Sequence, residues 1–221
     1  MNFSNETLMF AVERARMVDE QLRRRGIKDE QVLGAMLRVP RHEFVAEQYR
    51  SQSYEDHPLP IGEEQTISQP YIVALMLEAL AIASADRVLE VGTGSGYVTA
   101  LLAELAAQVF SVERHAVLAA GAARILKTIG YSNIEIVVGD GSLGLAAHAP
   151  YDVILVSAAA AKLPPALVEQ LGEGGRMMIP VGPPEQQELK FVRRVNGEVH
   201  IKVHDACRFV PLVSDGNDGH R

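Results

Sequence analysis

From residue 87 to residue 180 the chain alternates between short apolar runs and longer stretches whose apolar residues recur every three or four positions. The short runs predict strands at 87–91, 109–112, 134–138, 153–156 and 176–180. The longer stretches predict helices at 71–82, 96–106, 115–129 and 165–171. Strands that alternate with helices require right-handed crossovers, so the fold class read from the pattern is α/β: a doubly wound, mostly parallel sheet, Rossmann-like, covered on both faces. Before this zone, residues 7–49 have a helical pattern. Asp29 is placed as an N-cap, Val32, Leu33, Met36 and Leu37 follow at helical spacing, and Pro40 stops the helix. Residues 51–70 are polar and punctuated by Pro58, Pro60, Gly62 and Pro70, a long irregular segment of the kind that carries function. Beyond Gly182, runs at 189–195 and 199–203 flank Asn196-Gly197, a strong hairpin signal, and 208–212 reads as one more strand. The expected organisation is one domain over 1–221: a helical and loop region at 1–70, an α/β core at 71–182 and a C-terminal β extension at 183–221.

Composition narrows the classes. A chain of 221 residues with 48% apolar positions buries about 70% of its unfolded surface, enough for a substantial core. The net charge of −7 provides no general field for nucleic acid or anionic lipid, and the lack of Trp removes the best stacking platform for single strands. Neither nucleic acid nor membrane is expected as a partner. The single cysteine, Cys207, allows no internal disulfide, which argues for a reducing, cytoplasmic location. Residues 1–16 lack the basic start and apolar run of a signal peptide. No apolar stretch approaches the roughly 20 residues that span a bilayer. None of the seven histidines sits in a metal-ligand array, so no metal is expected.

The sharpest local feature is EVGTGSGY, residues 90–97, where a predicted strand hands over to a helix. Gly92, Gly94 and Gly96 let the backbone turn tightly and approach a ligand, and Thr93 and Ser95 lie between them. A phosphate-cradling loop would need Gly-Lys-Ser/Thr, and no lysine is present. A dinucleotide loop would need Gly or Ala where the bulky Tyr97 stands. S-adenosylmethionine fits better: Glu90, two residues before the first glycine, suits a sulfonium and an ammonium and would repel a pyrophosphate. Glu113 closes the next strand, where a carboxylate can accept from both ribose hydroxyls, and Asp140-Gly141 closes the third, where the acid can receive an adenine amino group. The competing reading of each acid is a helix cap or a solvated strand end.

Read together, MVDEQL, VPRHEFV, PLPIG, QTISQPY, VLEVGTGSGY, GDG, GGRMMIPVG and RFVPLV make the chain resemble the protein-L-isoaspartate O-methyltransferases from about residue 17 to residue 212. The glycine loop is shared by many methyltransferases; QTISQPY, residues 65–71, is far more specific. The resemblance implies transfer of a methyl group from S-adenosylmethionine to the free carboxylate of L-isoaspartyl (and, in some members, D-aspartyl) residues in damaged proteins and peptides. The ester then collapses to a succinimide that hydrolyses partly to normal aspartate. It also implies a catalytic Ser68. Thr66, Ile67, Gln69 and Pro70 would border the cofactor, with Glu90, Gly92, Thr93, Gly94, Ser95, Glu113, Arg114, Asp140 and Gly141 holding it. Ser157, Ala158 and Ala159 would border the substrate, and the protein would act as a monomer. Glu64 departs from the family's frequent glycine before Gln65, Ser157 stands where Thr is common, and residues 1–16 have no counterpart.

Two positions keep a second reading. Ser68-Gln69-Pro70 precedes a predicted helix, so the residues alone favour Ser68 as an N-cap, an order that the resemblance reverses. The run of small residues at 157–161 can admit a peptide backbone to the sheet edge or be an ordinary loop. Two other functions share the scaffold: methylation of a dedicated biosynthetic peptide, and cofactor binding without catalysis.

Overall fold

The structure, a computed structural model, describes residues 3–214. Helix α1 (Phe3–Arg16) runs into a π-helical turn (Met17–Leu22) and a short 3-10 turn that ends at Gly26 with φ 103°. Helix α2 (Glu30–Arg38) starts as expected: the Asp29 carboxylate accepts from the amides of Gln31 (2.8 Å) and Val32 (3.3 Å). The segment expected to be irregular contains a small antiparallel hairpin, β1 (Leu59–Gly62) and β2 (Gln65–Ile67). Then come α3 (Pro70–Leu80), β3 (Arg87–Val91), α4 (Tyr97–Leu105), β4 (Gln108–Glu113), α5 (Ala116–Thr128), β5 (Ile134–Val138), β6 (Tyr151–Val156), α6 (Pro165–Gln170), β7 (Leu171–Val181), β8 (Gln187–Val195) and β9 (Glu198–Cys207).

The seven-stranded sheet has the order β5-β4-β3-β6-β7-β8-β9. Its first five strands are parallel, and β7-β8-β9 are antiparallel. Period-2 alternation sorts its side chains into two cores. Val88, Val109, Val153, Leu155 and Met178 face α2, α3 and α4 in one core; Leu89, Val91, Phe110, Ile154, Val156 and Met177 meet Leu167 of α6 in the other. The β8–β9 turn carries Asn196 at φ 53° and Gly197 at φ 78°, the conformation that Asn-Gly favours between strands.

Residues 208–212 form no strand. They make one parallel bridge, Pro211 beside Ala159, because Pro211 has no N–H to give a ladder. A side chain replaces the missing strand partner: Gln187 donates to the Phe209 carbonyl (3.1 Å) and accepts from its amide (2.6 Å). No helix among the described residues is long and apolar enough to cross a membrane.

Candidate active site

β3 pairs with β4 on one side and with β6 on the other, so the crossovers diverge at its carboxyl end, where open α/β sheets leave a crevice. A cleft lies there. Its floor is Gly92 to Ser95, its sides Glu113 to His115 and Gly141, and its roof the β2 segment with the strap 210–213. Gly94 has φ 53°, and a Cβ there would stand 3.3 Å from Ile61 of the hairpin, so a side chain would both strain the backbone and crowd the roof. Gly96, at φ 89°, lets α4 start against α5, since a Cβ would meet that of Ala122 at 3.0 Å.

Glu113 stitches the loop in place. One carboxylate oxygen accepts from the Gly94 amide (2.8 Å) and the other from the His115 amide (2.9 Å). Both oxygens retain lone pairs, and the residue lines the cleft. Thr93 and Ser95 line it too, as do Arg114, Ser157 and Ala158.

Glu90 is placed differently from the expectation. Alternation along β3 turns it beneath the loop and under α4, where it is fully buried and outside the cleft wall. One oxygen accepts from the Thr99 and Ser111 hydroxyls (both 2.6 Å), Ser111 in turn contacts the Thr93 hydroxyl (2.5 Å), and the other oxygen is buried without a partner among the described residues. Burial pushes its pKa up to about 8 against the opposing effect of these hydrogen bonds. Glu90 is therefore mostly an uncharged carboxyl at neutral pH, pinning the loop from below. Asp140 also lies outside the wall: one oxygen accepts from the Ser142 amide (2.9 Å) and hydroxyl (2.7 Å), so the capping reading holds there, while Gly141 lines the cleft. Ala159 is buried under the strap, its amide donating to Val210 and its carbonyl accepting from Leu212 (both 2.8 Å). The chain itself occupies the edge that the small residues were expected to offer a peptide. Pro70 is buried in the first turn of α3, outside the wall.

Ser68 caps nothing. The N-cap position of α3 is Gln69, which makes no side-chain cap. Asp56, from the distant loop, does that work by accepting from the Tyr71 amide (3.1 Å) and the Gln69 side chain (2.8 Å), and it is paired with Arg25. Ser68, whose hydroxyl makes no hydrogen bond among the described residues, lines the cleft and also a second one. This second cleft is bounded by Pro58, Gln69, Ile72 and residues 206–210. Thr66, Ser68, Ser157 and Val210 belong to both walls.

The family model for "Protein-L-isoaspartate(D-aspartate) O-methyltransferase" matches residues 13–217. The chain belongs to this family. A protein-L-isoaspartate O-methyltransferase of Koribacter versatilis is 61% identical over 211 residues, covering 96% of this chain and 94% of its own. One from Methanoculleus marisnigri is 55% identical over 202 residues, 91% of each chain. Among solved structures, a protein-L-isoaspartate O-methyltransferase superposes with a TM-score of 0.83 at 30% identity, over 91% of this chain and 66% of that longer one. A putative member from Plasmodium falciparum, in complex with S-adenosyl-L-homocysteine, gives 0.80 at 28% identity over 90% of this chain and 98% of its own.

For this methyltransferase-family chain, sequence reasoning missed several cleft residues. His115 lines the cleft and its ring faces Glu63, at the hairpin tip, across 3.5 Å. Val91, Val98 and Val112 line it through ordinary strand and helix periodicity, which carries no functional mark. The strap 210–213 had a signal in RFVPLV, but no chemistry in those residues pointed to a role. The family's frequent glycine at Glu64 is explained by the turn: Glu63 and Glu64 both sit at positive φ, 50° and 56°.

Proposed function

We propose that this protein transfers a methyl group from S-adenosylmethionine to the free carboxylate of L-isoaspartyl residues, and of D-aspartyl residues as a second class, in damaged proteins and peptides. The observation that carries the reading is the pair of clefts sharing the wall of Thr66, Ser68, Ser157 and Val210. The first suits a nucleoside with a charged tail: a floor in which Gly92 and Gly94 carry no side chain, and the Glu113 carboxylate at a strand end for a ribose. Gly92, Thr93, Gly94 and Ser95 would hold the amino-acid portion, and Gly141 would face the base. The second cleft would admit the polypeptide.

When bound, S-adenosylmethionine supplies an activated methyl group. The acceptor carboxylate is already ionised at neutral pH, so the protein need not provide a strong base. Its contribution is placement, which can be worth up to about 7–11 kcal/mol in well-oriented reactions. Ser68 donates a hydrogen bond that orients the carboxylate toward the shared wall. In the resulting ester the adjacent backbone amide nitrogen of the substrate attacks the ester carbonyl and expels methanol, giving the succinimide that starts repair.

All three zones, 1–70, 71–182 and 183–221, supply walls, so the chain works as one catalytic domain; a complete site in one copy supports action as a monomer. The lone cysteine supports a reducing, cytoplasmic setting. The test is transfer of labelled methyl to an isoaspartyl peptide and to its L-aspartyl twin. Base-labile label on the first alone supports the reading. Cofactor binding without label on either contradicts it, and labelling of only one dedicated peptide would shift the substrate class.

A further inference from the structure

We propose that Arg41 is the positioning residue for Ser68, acting by holding together the two ends of the segment that forms both cleft walls. This rests on the role assigned to Ser68 above. Arg41 opens the short turn after Pro40 and is fully buried. Its Nε donates to the Ser53 carbonyl and its Nη2 to the Ser68 carbonyl, both at 2.8 Å. One planar guanidinium thus closes the loop from Ser53 to Ser68, which contains the β1–β2 hairpin. Its charge lies 4.9 Å from the centre of the Tyr97 ring, and Tyr97 is the first residue of α4, directly after the glycine loop. The same side chain therefore bonds the serine segment and lies over the ring of the residue that begins α4. Its Nη1 is buried with no partner among the described residues.

The arrangement is costly for a purely structural device. Burying a cation is unfavourable, the Asp56 charge offsets the burial only in part, and a well-packed apolar side chain commonly serves stability as well or better. Burial lowers the pKa to about 10, so the group is still charged at neutral pH. What the charge adds is geometry: a rigid fork that fixes two carbonyls at once, which a lysine, with a single flexible ammonium, matches at one of them. Asp56 anchors the following residues, Gln69 and Tyr71, from the other side. Ser68 is left with a fixed backbone and an uncommitted hydroxyl.

The experiment is a double-mutant cycle in the full-length chain, read by methyl transfer from S-adenosylmethionine to an isoaspartyl peptide. Ser68→Ala, Arg41→Lys and the double variant are compared for kcat and peptide KM, with S-adenosylhomocysteine Kd measured by calorimetry. Arg41→Met is added as the harsher change; because it leaves two buried carbonyls unpaired and can fail to fold, Arg41→Lys carries the cycle. The expected result is about a tenfold loss in kcat/KM for Arg41→Lys, with Kd for S-adenosylhomocysteine changed less than about threefold. In the Ser68→Ala background the same change costs less than about twofold, because coupled residues are not additive. Independent, multiplicative losses, or wild-type turnover in Arg41→Lys, overturn the inference. A wild-type chain inactive on isoaspartyl peptides instead removes the functional reading and the inference together.

Discussion

The two halves of the candidate site are held in different ways. The cofactor floor is supported by groups from the adjoining strands and helix: Glu113 bonds the Gly94 amide, and Glu90, Ser111 and Thr99 form a buried cluster directly below. The serine wall is supported by loop and turn residues outside the seven-stranded sheet, by Arg41 through the Ser68 carbonyl and by Asp56 through Gln69 and Tyr71. Damage to the floor should therefore appear in cofactor affinity. Damage to the serine wall should appear in peptide turnover while the cofactor still binds.

The largest expected effect attacks the floor. Gly94→Val places a β-branched residue at positive φ against Ile61. Calorimetry with S-adenosylhomocysteine should show at least about a hundredfold weaker binding, in keeping with roughly 3 kcal/mol of strain and lost contact. Affinity like wild type would mean the loop is not the cofactor floor. Next, Ser68→Ala should lower kcat/KM for an isoaspartyl peptide by about 1–3 kcal/mol, roughly five- to 150-fold, with cofactor affinity retained. A loss confined to cofactor affinity would erase the contrast between the halves.

Asp56→Ala should behave like a weaker serine-wall variant and also destabilise the fold by about 1 kcal/mol, the scale of a lost helix cap. A thermal melt and a turnover assay separate the two effects, and unchanged turnover would confine Asp56 to capping.

Glu90 allows a test of the floor by pH. Its pKa is raised in the folded state, so the folded chain holds a proton that the unfolded chain releases above the ordinary glutamate range. This contribution favours folding at low pH, declines as pH rises from about 4.5 toward 8, and is flat above 8. Denaturation of wild type and Glu90→Gln should show Gln gaining relative stability across that window. Parallel pH profiles would mean that Glu90 is ionised in the fold. The smallest effect is at the hairpin tip, where Glu64→Gly should relieve strain and stabilise the chain by about 1 kcal/mol, seen as a higher Tm; a lower Tm would show that the Glu64 side chain makes a compensating contact.

Legibility in the sequence follows the same division. The parallel strands, the helices between them and the Asn196-Gly197 turn announce themselves through local periodicity and turn chemistry, and the structure has them. The position of the glycine loop and of Glu113 at strand ends was readable from local spacing, and both line the cleft. Glu90 was read with the wrong orientation: the motif shows an acid near the glycines, but only strand alternation under α4 shows that it points down into the core. The cap reading of Ser68 does not hold because the side chain that caps α3, Asp56, is not adjacent to the helix in sequence. Arg41 had only its place in VPRHEFV, and a buried charge has no sequence signature apart from the fold that buries it. Residues 208–212 read as one more strand from a short apolar run; Pro211 and the Gln187 clamp make them something else.

The most direct measurement is a crystal structure of the chain with S-adenosylhomocysteine and an isoaspartyl peptide. The expected complex has the ribose hydroxyls on Glu113, the sulfur facing Thr66, Ser157 and Val210, and the isoaspartyl carboxylate within hydrogen-bonding distance of the Ser68 hydroxyl. A nucleoside bound away from the glycine floor, or a carboxylate held beyond the reach of Ser68, would contradict the account.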